Sequence, residues 1–302
     1  MKLTVSDSVS PSYFVAIAAV ELGHFRAQGL DVEFVPTPTD SATAFHDGEV
    51  EFLGASPYTG LSAFPEWRGA KALCALSQHT YWFLAMRADL APKRGDLSIV
   101  KGRRISASGR PGLLLKRVLE DAGLDLERDG IQLVRAPNPP GTWARLGADA
   151  IEQGLADGFW GNGMRAEYAV RRGLATVVLD IRRGDGPPAA RDYTFPALLA
   201  TDRFVEHHPE AAAAAVRAIV ATQRQLRAEP AQATKVGRVW FPPEEAEIIA
   251  DLIARDAEFY DPAISRAAVD AASRFALEAG LLSQPVEYET LVATQLAPLW
   301  QI

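Results

Sequence analysis

The order of the apolar segments constrains this chain more than any other feature. From residue 3 to residue 201, short runs of strand character alternate with longer stretches of helical periodicity. Strands are predicted over residues 3–6, 30–35, 49–53, 71–76 and 81–87, and helices over 12–28, 40–47 and from Pro57 onward. Gly29 supplies a C-cap, Asp40 or Thr39 an N-cap, and Pro57 a first helical position. A second series starts near Gly102. Its strands are predicted over 104–107, 131–135, 158–160 and 176–181. Its helices run from the turn at 108–112 through Asp121, then over 143–154 and 163–172. One more strand is predicted over 194–201. Strands interleaved with helices belong in a largely parallel sheet with helical crossovers, so the predicted class is α/β. The two series share a plan but no detectable sequence repeat. Beyond Asp202 the chain reads as alanine-rich packing helices broken near prolines, with no chemistry of their own.

A length of 302 residues allows two domains or one large one. With 48% hydrophobic and 23% charged residues, global disorder and a disulfide-dense scaffold are excluded. No apolar run reaches about 18 residues, which excludes a membrane-spanning helix. A net charge of −7 argues against a general nucleic-acid binder, which needs a basic face. The single cysteine, Cys74, excludes an intramolecular disulfide and a cysteine-only metal site. The chain has no H-E-x-x-H, G-x-G-x-x-G, P-loop or G-x-S-x-G motif, so no metal and no cofactor is expected. Residues 13–20 read as an amphipathic helix rather than an export leader. The expected location is the periplasm if a leader has been removed, and the cytoplasm otherwise.

Three passages carry a likeness to a known family. The segment from Ala18 to Phe25, followed by Gly29-Leu30-Asp31-Val32, has an alanine-rich helix ending in Glu-x-Gly-aromatic-Phe and a Gly-Leu turn before an amphipathic strand. The segments Asp47-Gly48-Glu49-Val50-Glu51-Phe52 and 151–158 (IEQGLADG) fit the strand openings of its two halves. In this order the passages resemble bacterial solute-binding proteins of the nitrate, sulfonate and thiamine-pyrimidine-precursor type, over about residues 3–220. The resemblance implies a type II periplasmic-binding-protein-like fold, with two doubly wound α/β lobes and a ligand cleft between them. Lobe one would comprise 1–87 and 199–302, with the C-terminal helices packed on it. Lobe two would comprise 88–198, with crossovers near 86–89 and 198–201. It also implies a small-molecule ligand and an ABC permease as partner.

Five loops lie between strand ends and helix starts, where free N–H groups and the helix dipole favour an anion. Their candidate ligand-binding residues are Ser10 and Tyr13, Thr39, Ser56 and Tyr58, Ser108 and Arg110, and Arg165. Ordinary capping explains any one loop as well as binding does. Arg110 and Arg165 stand at helix starts, where a cation is unhelpful unless an anion compensates it; either could instead be a surface or ion-paired arginine. Trp82 and Trp160 put aromatic surface beside the same loops, as ligand contacts or as core. His79 follows a strand and is a candidate hydrogen-bonding or acid–base group.

Together these features predict binding of a small anionic solute, aromatic or heteroaromatic, for ABC-type uptake. The alternative is an enzyme on the same fold, a decarboxylase- or desulfinase-like lyase or hydrolase acting on a small aromatic acid; no catalytic residue is assigned. The resemblance includes desulfinases with a cysteine in the first strand–helix loop, and the matching position here falls near Ser10. A serine lacks the nucleophilicity of a thiolate at neutral pH. A cytosolic ligand sensor is the third reading.

Overall fold

A stretch such as Leu3-Thr4-Val5, with both faces apolar or small, has its place inside a sheet covered on both sides. All three residues are buried. The computed structural model describes residues 1–36, 40–107, 109–137 and 144–301. The chain divides into two compact units, Met1–His79 with Thr194–Ile302, and Thr80–Tyr193.

The first unit holds β1 (Lys2–Val5), β2 (Glu33–Phe34), β3 (Phe52–Ala55), β4 (Ala70–Ala75) and the late strand β10 (Ala197–Thr201). Their order is β2-β1-β3-β10-β4. The pairs β2/β1 and β1/β3 are parallel, while β10 runs antiparallel to both β3 and β4. The second unit holds β5 (Phe83–Arg87), β6 (Arg104–Ser106), β7 (Gln132–Val134), β8 (Gly158–Gly161) and β9 (Ala175–Asp180), in the order β7-β6-β8-β5-β9. Here β5 is the antiparallel member. The two sheets therefore share one plan, down to a register shift in the antiparallel strand, at Leu198/Leu199 in one and Leu84/Ala85 in the other.

The helices follow the expected alternation. In the first unit they are α1 (Phe14–Glu21), α2 (His24–Ala27), α3 (Ser41–His46) and α4 (Pro57–Ala63). In the second they are α5 (Gly109–Asp121), α6 (Leu146–Glu152) and α7 (Gly163–Arg171). The C-terminal third adds α8 (Asp202–His207), α9 (Pro209–Ala228), α10 (Gln232–Trp240), α11 (Pro243–Asp256), α12 (Arg266–Glu278) and α13 (Tyr288–Leu291) to the first unit. The single helix expected over 12–28 is two. Gly23 sits at φ 77°, a left-handed conformation that glycine adopts without a Cβ penalty, and it ends α1 and starts α2. Residues 14–19 of α1 are all buried, as expected for a helix apolar on every side. The long α9 covers this pair, with His24 Nε2 and Gln225 Oε1 2.7 Å apart, and at the end of α10 Trp240 Nε1 donates to Glu21 Oε1 at 2.8 Å.

The acidic residue in each of the two strand-opening motifs has the same physical job. Lys2 N donates to Glu51 Oε2 at 2.5 Å, and Arg104 N donates to Asp157 Oδ2 at 3.0 Å. In each unit the residue before the central strand returns its own N–H to the same partner, Glu51 N to Lys2 O and Asp157 N to Arg104 O. The carboxylate thus satisfies the first N–H of the neighbouring strand, which has no ladder partner there. Gly158 lets this junction close, since a Cβ on it would meet Met86 Sδ at 2.3 Å and Ala85 O at 2.6 Å.

Candidate functional site

Strand direction decides which side chains share an edge. In the first unit β1, β2, β3 and β4 all end at one edge, where β10 begins. The residues beyond those ends are mostly hydroxylated. Ser6 Oγ lies 3.4 Å from both Ser41 Oγ and Thr59 Oγ1, which joins the loop after β1 to α3 and α4. Ser10 is 1% exposed, and its Oγ is buried with no hydrogen-bond partner among the described residues. Tyr13 is buried just ahead of α1. Ser56 stands at the N-cap position of α4, half-buried, without a side-chain capping bond. Tyr58 is committed elsewhere: it is buried and its hydroxyl donates to Ala272 O at 3.1 Å. His79 ends the first stretch of this unit at φ 64°, half-buried, with its ring edge-on to Phe259. A positive φ outside glycine is uncommon, and histidine is among the residues that tolerate it. Thr39 lies outside the described residues.

The second unit presents a different chemistry at the corresponding edge. There β6, β7, β8 and β9 end together, beside the start of β5. Each of these four ends is followed by an arginine. Arg110 lies in the first turn of α5 after β6, and Arg135 directly after β7. Arg165 lies in the first turn of α7 after β8, and Arg182 two residues past β9. Asn162 caps α7, its Oδ1 accepting from Arg165 N at 3.1 Å. Arg182 is 2% exposed, and its guanidinium lies 5.9 Å from the Tyr81 ring centroid, a cation–π distance. Asp180, the acidic residue at the end of β9, is matched by Arg183 at 3.0 Å. Ser108 lies outside the described residues.

The aromatic pair sits at this same edge. Trp160 on β8 faces Leu84 on β5, so Trp82, two residues earlier on the β5 side, is its diagonal neighbour on one face. Their rings are nearly parallel, 10° apart, with centroids 6.1 Å apart. Trp82 is half-buried, and Tyr81 packs against it at 5.7 Å. Trp160 is 3% exposed, and its indole N–H has no hydrogen-bond partner among the described residues.

The structure therefore gathers Arg110, Arg165, Trp82 and Trp160 on one edge of the second unit, and Ser10, Tyr13, Ser56 and His79 on one edge of the first. Arg135, Arg182 and the hydroxyl of Ser6 were missed from sequence, while Ser41 and Thr59 lie at the ends of two of the candidate loops, 37–41 and 54–59, without having been singled out. A signal was present for Arg182, the first residue after the predicted strand 176–181, whereas Arg135 closes the predicted strand 131–135, which the structure ends at Val134. Cys74 lies inside β4, buried, and burial pushes its thiol far above the usual range, so it is protonated and unreactive at neutral pH. The other histidines are engaged away from these edges: His46 with Asp47, His207 with Arg203 O, His208 beside Phe204, and His24 with Gln225. Among the described residues no three His, Cys, Asp or Glu side chains are grouped to hold a metal ion. No described helix is long and apolar enough to cross a membrane.

Solved structures share this architecture. A putative periplasmic sulfonate-binding protein of an ABC transporter, from Methylobacillus flagellatus KT, superposes with a TM-score of 0.69 at 17% identity, covering 100% of this chain and 96% of its own. The periplasmic nitrate-binding protein from Synechocystis PCC 6803 gives 0.68 at 15% identity, covering 98% and 86%. A desulfurization enzyme gives 0.67 at 16% identity, covering 97% and 96%. No curated protein sequence matches the chain. At such identities the likeness establishes the fold, and it bears out the two-sheet α/β architecture and the resemblance read from sequence. Residues 10–233 match the family model described as NMT1/THI5 like. That match takes in well over half of the 302 residues, and the chain belongs to the NMT1/THI5-like family.

Proposed function

We propose that this protein captures a small, planar, anionic solute and delivers it to an ABC-type permease. The observation that carries the proposal is the edge of the second unit, where the Trp82–Trp160 stack lies among arginines that follow the neighbouring strands. An aromatic wall with a few convergent cations is the chemistry of a site for a flat anion. The first unit, taken by itself, carries hydroxyl groups at the ends of its own strands, with Ser6 Oγ 3.4 Å from Ser41 Oγ and Thr59 Oγ1. Support also comes from the sulfonate- and nitrate-binding proteins that share the fold.

The second reading is an enzyme, favoured by the likeness to a desulfurization enzyme. Against it stand the buried, protonated Cys74 and the serine at position 10, neither of which provides a thiolate. The test is native mass spectrometry of the purified protein, followed by a thermal-shift screen of small carboxylates, sulfonates and pyrimidines. A hit whose mass is unchanged after prolonged incubation supports capture. Conversion of the hit to a new species makes the protein an enzyme, and the absence of any hit overturns the ligand class.

A further inference from the structure

In the first unit, the segment between α11 and α12 is irregular yet buried. Residues 260–265 form neither helix nor strand, while Tyr260, Pro262 and Ile264 are all buried. Connecting segments normally run over the surface, because buried backbone groups must find partners. Here they find them beside β4. Gln78 N donates to Phe259 O and Ala75 N to Pro262 O, each at 2.8 Å. Gln78 Nε2 donates to Asp261 O at 2.8 Å and to Ala263 O at 2.7 Å. The segment is thus a strap laid along the end of β4 and the residues after it. That end is anchored from α9 as well, where the buried Gln223 Nε2 donates to Ala75 O at 3.1 Å and Leu76 O at 3.0 Å.

Two consecutive side chains of the strap reach the site edge of this unit. Phe259 meets the His79 ring edge-on, with centroids 6.1 Å apart. Tyr260 is 0% exposed, and its hydroxyl donates to Pro11 O at 3.2 Å. Pro11 lies between Ser10 and Tyr13 in the loop after β1, and its carbonyl also accepts Phe14 N at 3.3 Å where α1 opens. In the sheet, β3 and β10 stand between β1 and β4, so no ladder bond joins the loops that follow these two strands. The Tyr260 hydroxyl spans that gap. A phenylalanine would fill the same space and donate nothing.

Resting on the solute-capture reading above, we propose that Tyr260 is a positioning residue of the capture site. It touches no solute. Its hydroxyl holds the loop bearing Ser10 and Tyr13 to the strap, and the strap is held to the segment that ends in His79. The two segments therefore meet a ligand already placed. Contacts set in advance spare the ligand the cost of ordering them.

The experiment compares the full chain with Tyr260→Phe, which keeps the buried ring, and with Tyr288→Phe. The latter loses a bond of the same kind, from the Tyr288 hydroxyl to Ile264 O at 2.6 Å, away from the loop. Calorimetry uses benzenesulfonate and benzoate as probes, and native-state hydrogen exchange follows the amides of Tyr13 and Phe14. Tyr260→Phe is expected to weaken whichever probe binds by at least about fivefold. It is expected to speed exchange at Tyr13 and Phe14 by about tenfold while the amides of β3 keep their rates. Tyr288→Phe is expected to change neither. Wild-type affinity in Tyr260→Phe overturns the proposal and leaves solute capture standing. So does a weaker probe without faster exchange in the loop. An equal loss in both variants, or faster exchange that extends to β3, makes Tyr260 a stability residue alone and overturns it too. If the wild type binds neither probe, the planar-anion reading falls and the proposal falls with it.

Discussion

The Trp82 and Trp160 rings are nearly parallel, 6.1 Å apart at their centroids, on the diagonal between two antiparallel strands. One ring is buried and the other half-buried, so the two tryptophans answer to different measurements. Trp160→Ala empties a core position and is expected to lower stability by about 3–5 kcal/mol in urea denaturation. Trp82→Ala removes the stack and is expected to cost about 1 kcal/mol. It should also lower the affinity for a planar ligand; unchanged affinity would assign Trp82 to packing alone.

Arg110 enters α5 in its first turn, where a cation opposes the helix dipole and an anion relieves it. Arg110→Ala is expected to weaken an anionic ligand by about 1.5–3 kcal/mol, the worth of a charge-assisted contact. Calorimetry on the best hit checks this, and an unchanged Kd removes Arg110 from the site.

Asp157 and Glu51 close the starts of β6 and β1. Asp157 is 8% exposed, so losing its carboxylate strands the Arg104 N–H in a dry place. Asp157→Leu is expected to cost about 1–3 kcal/mol. Asp157→Asn, which keeps a carbonyl acceptor, should cost less, and Glu51→Leu less than Asp157→Leu because Glu51 is more exposed. Denaturation midpoints order the three, and a reversed order would mean that the clamp is not what these carboxylates contribute.

Cys74 should be silent in the folded protein. Its burial and raised pKa predict no reaction with an aromatic disulfide reagent under native conditions, and one thiol titrated in denaturant. Prompt native labelling would show that β4 opens on the time scale of the assay.

Asp129 accepts from Asp125 N at 2.8 Å and from Arg128 Nη2 at 2.9 Å, and Lys101 Nζ lies 3.0 Å from its other oxygen. The backbone N–H, Arg128 and Lys101 hold its carboxyl well below the usual carboxylate range. A depressed folded value means that the stabilisation is complete above the unfolded value, about 3.9, and is lost as pH falls through the folded one. The Tm of Asp129→Asn should therefore lie below that of the wild type at pH 6, with the gap narrowing below about pH 4. A gap independent of pH would refute an ionic origin.

Periodicity made the strands and helices legible, because a chain that alternates β-branched runs with amphipathic ones has few other ways to bury its apolar faces. It did not reveal the break at Gly23, since the apolar pattern continues across it while the backbone turns left-handed. It could not order the strands, because the placing of β10 between β3 and β4 is a long-range pairing with no local trace. The same gap hid Arg135. In sequence it closes a predicted strand over 131–135, and only the parallel pairing of β7 with β6 brings it to the edge that Arg110 occupies. Tyr58 shows the converse: its place at the start of α4 marked it for the site, and the turn of the helix sent its hydroxyl to Ala272 instead. The acidic strand-opening motifs were readable as a family signature, but their work, closing the strand starts, lies away from the ends that carry the candidate site.

The late strand β10 also makes the two units unequal as pieces of chain. Thr80–Tyr193 is contiguous and brings all five strands of its own sheet, like a guest carried in the loop of a host. The host is cut in two: a fragment stopping at residue 79 lacks the strand that belongs between β3 and β4 and leaves both with bare edges. On the ribosome the first sheet must therefore wait for some 115 residues of guest to emerge before it can close, whereas the guest has every strand it needs as soon as it is made.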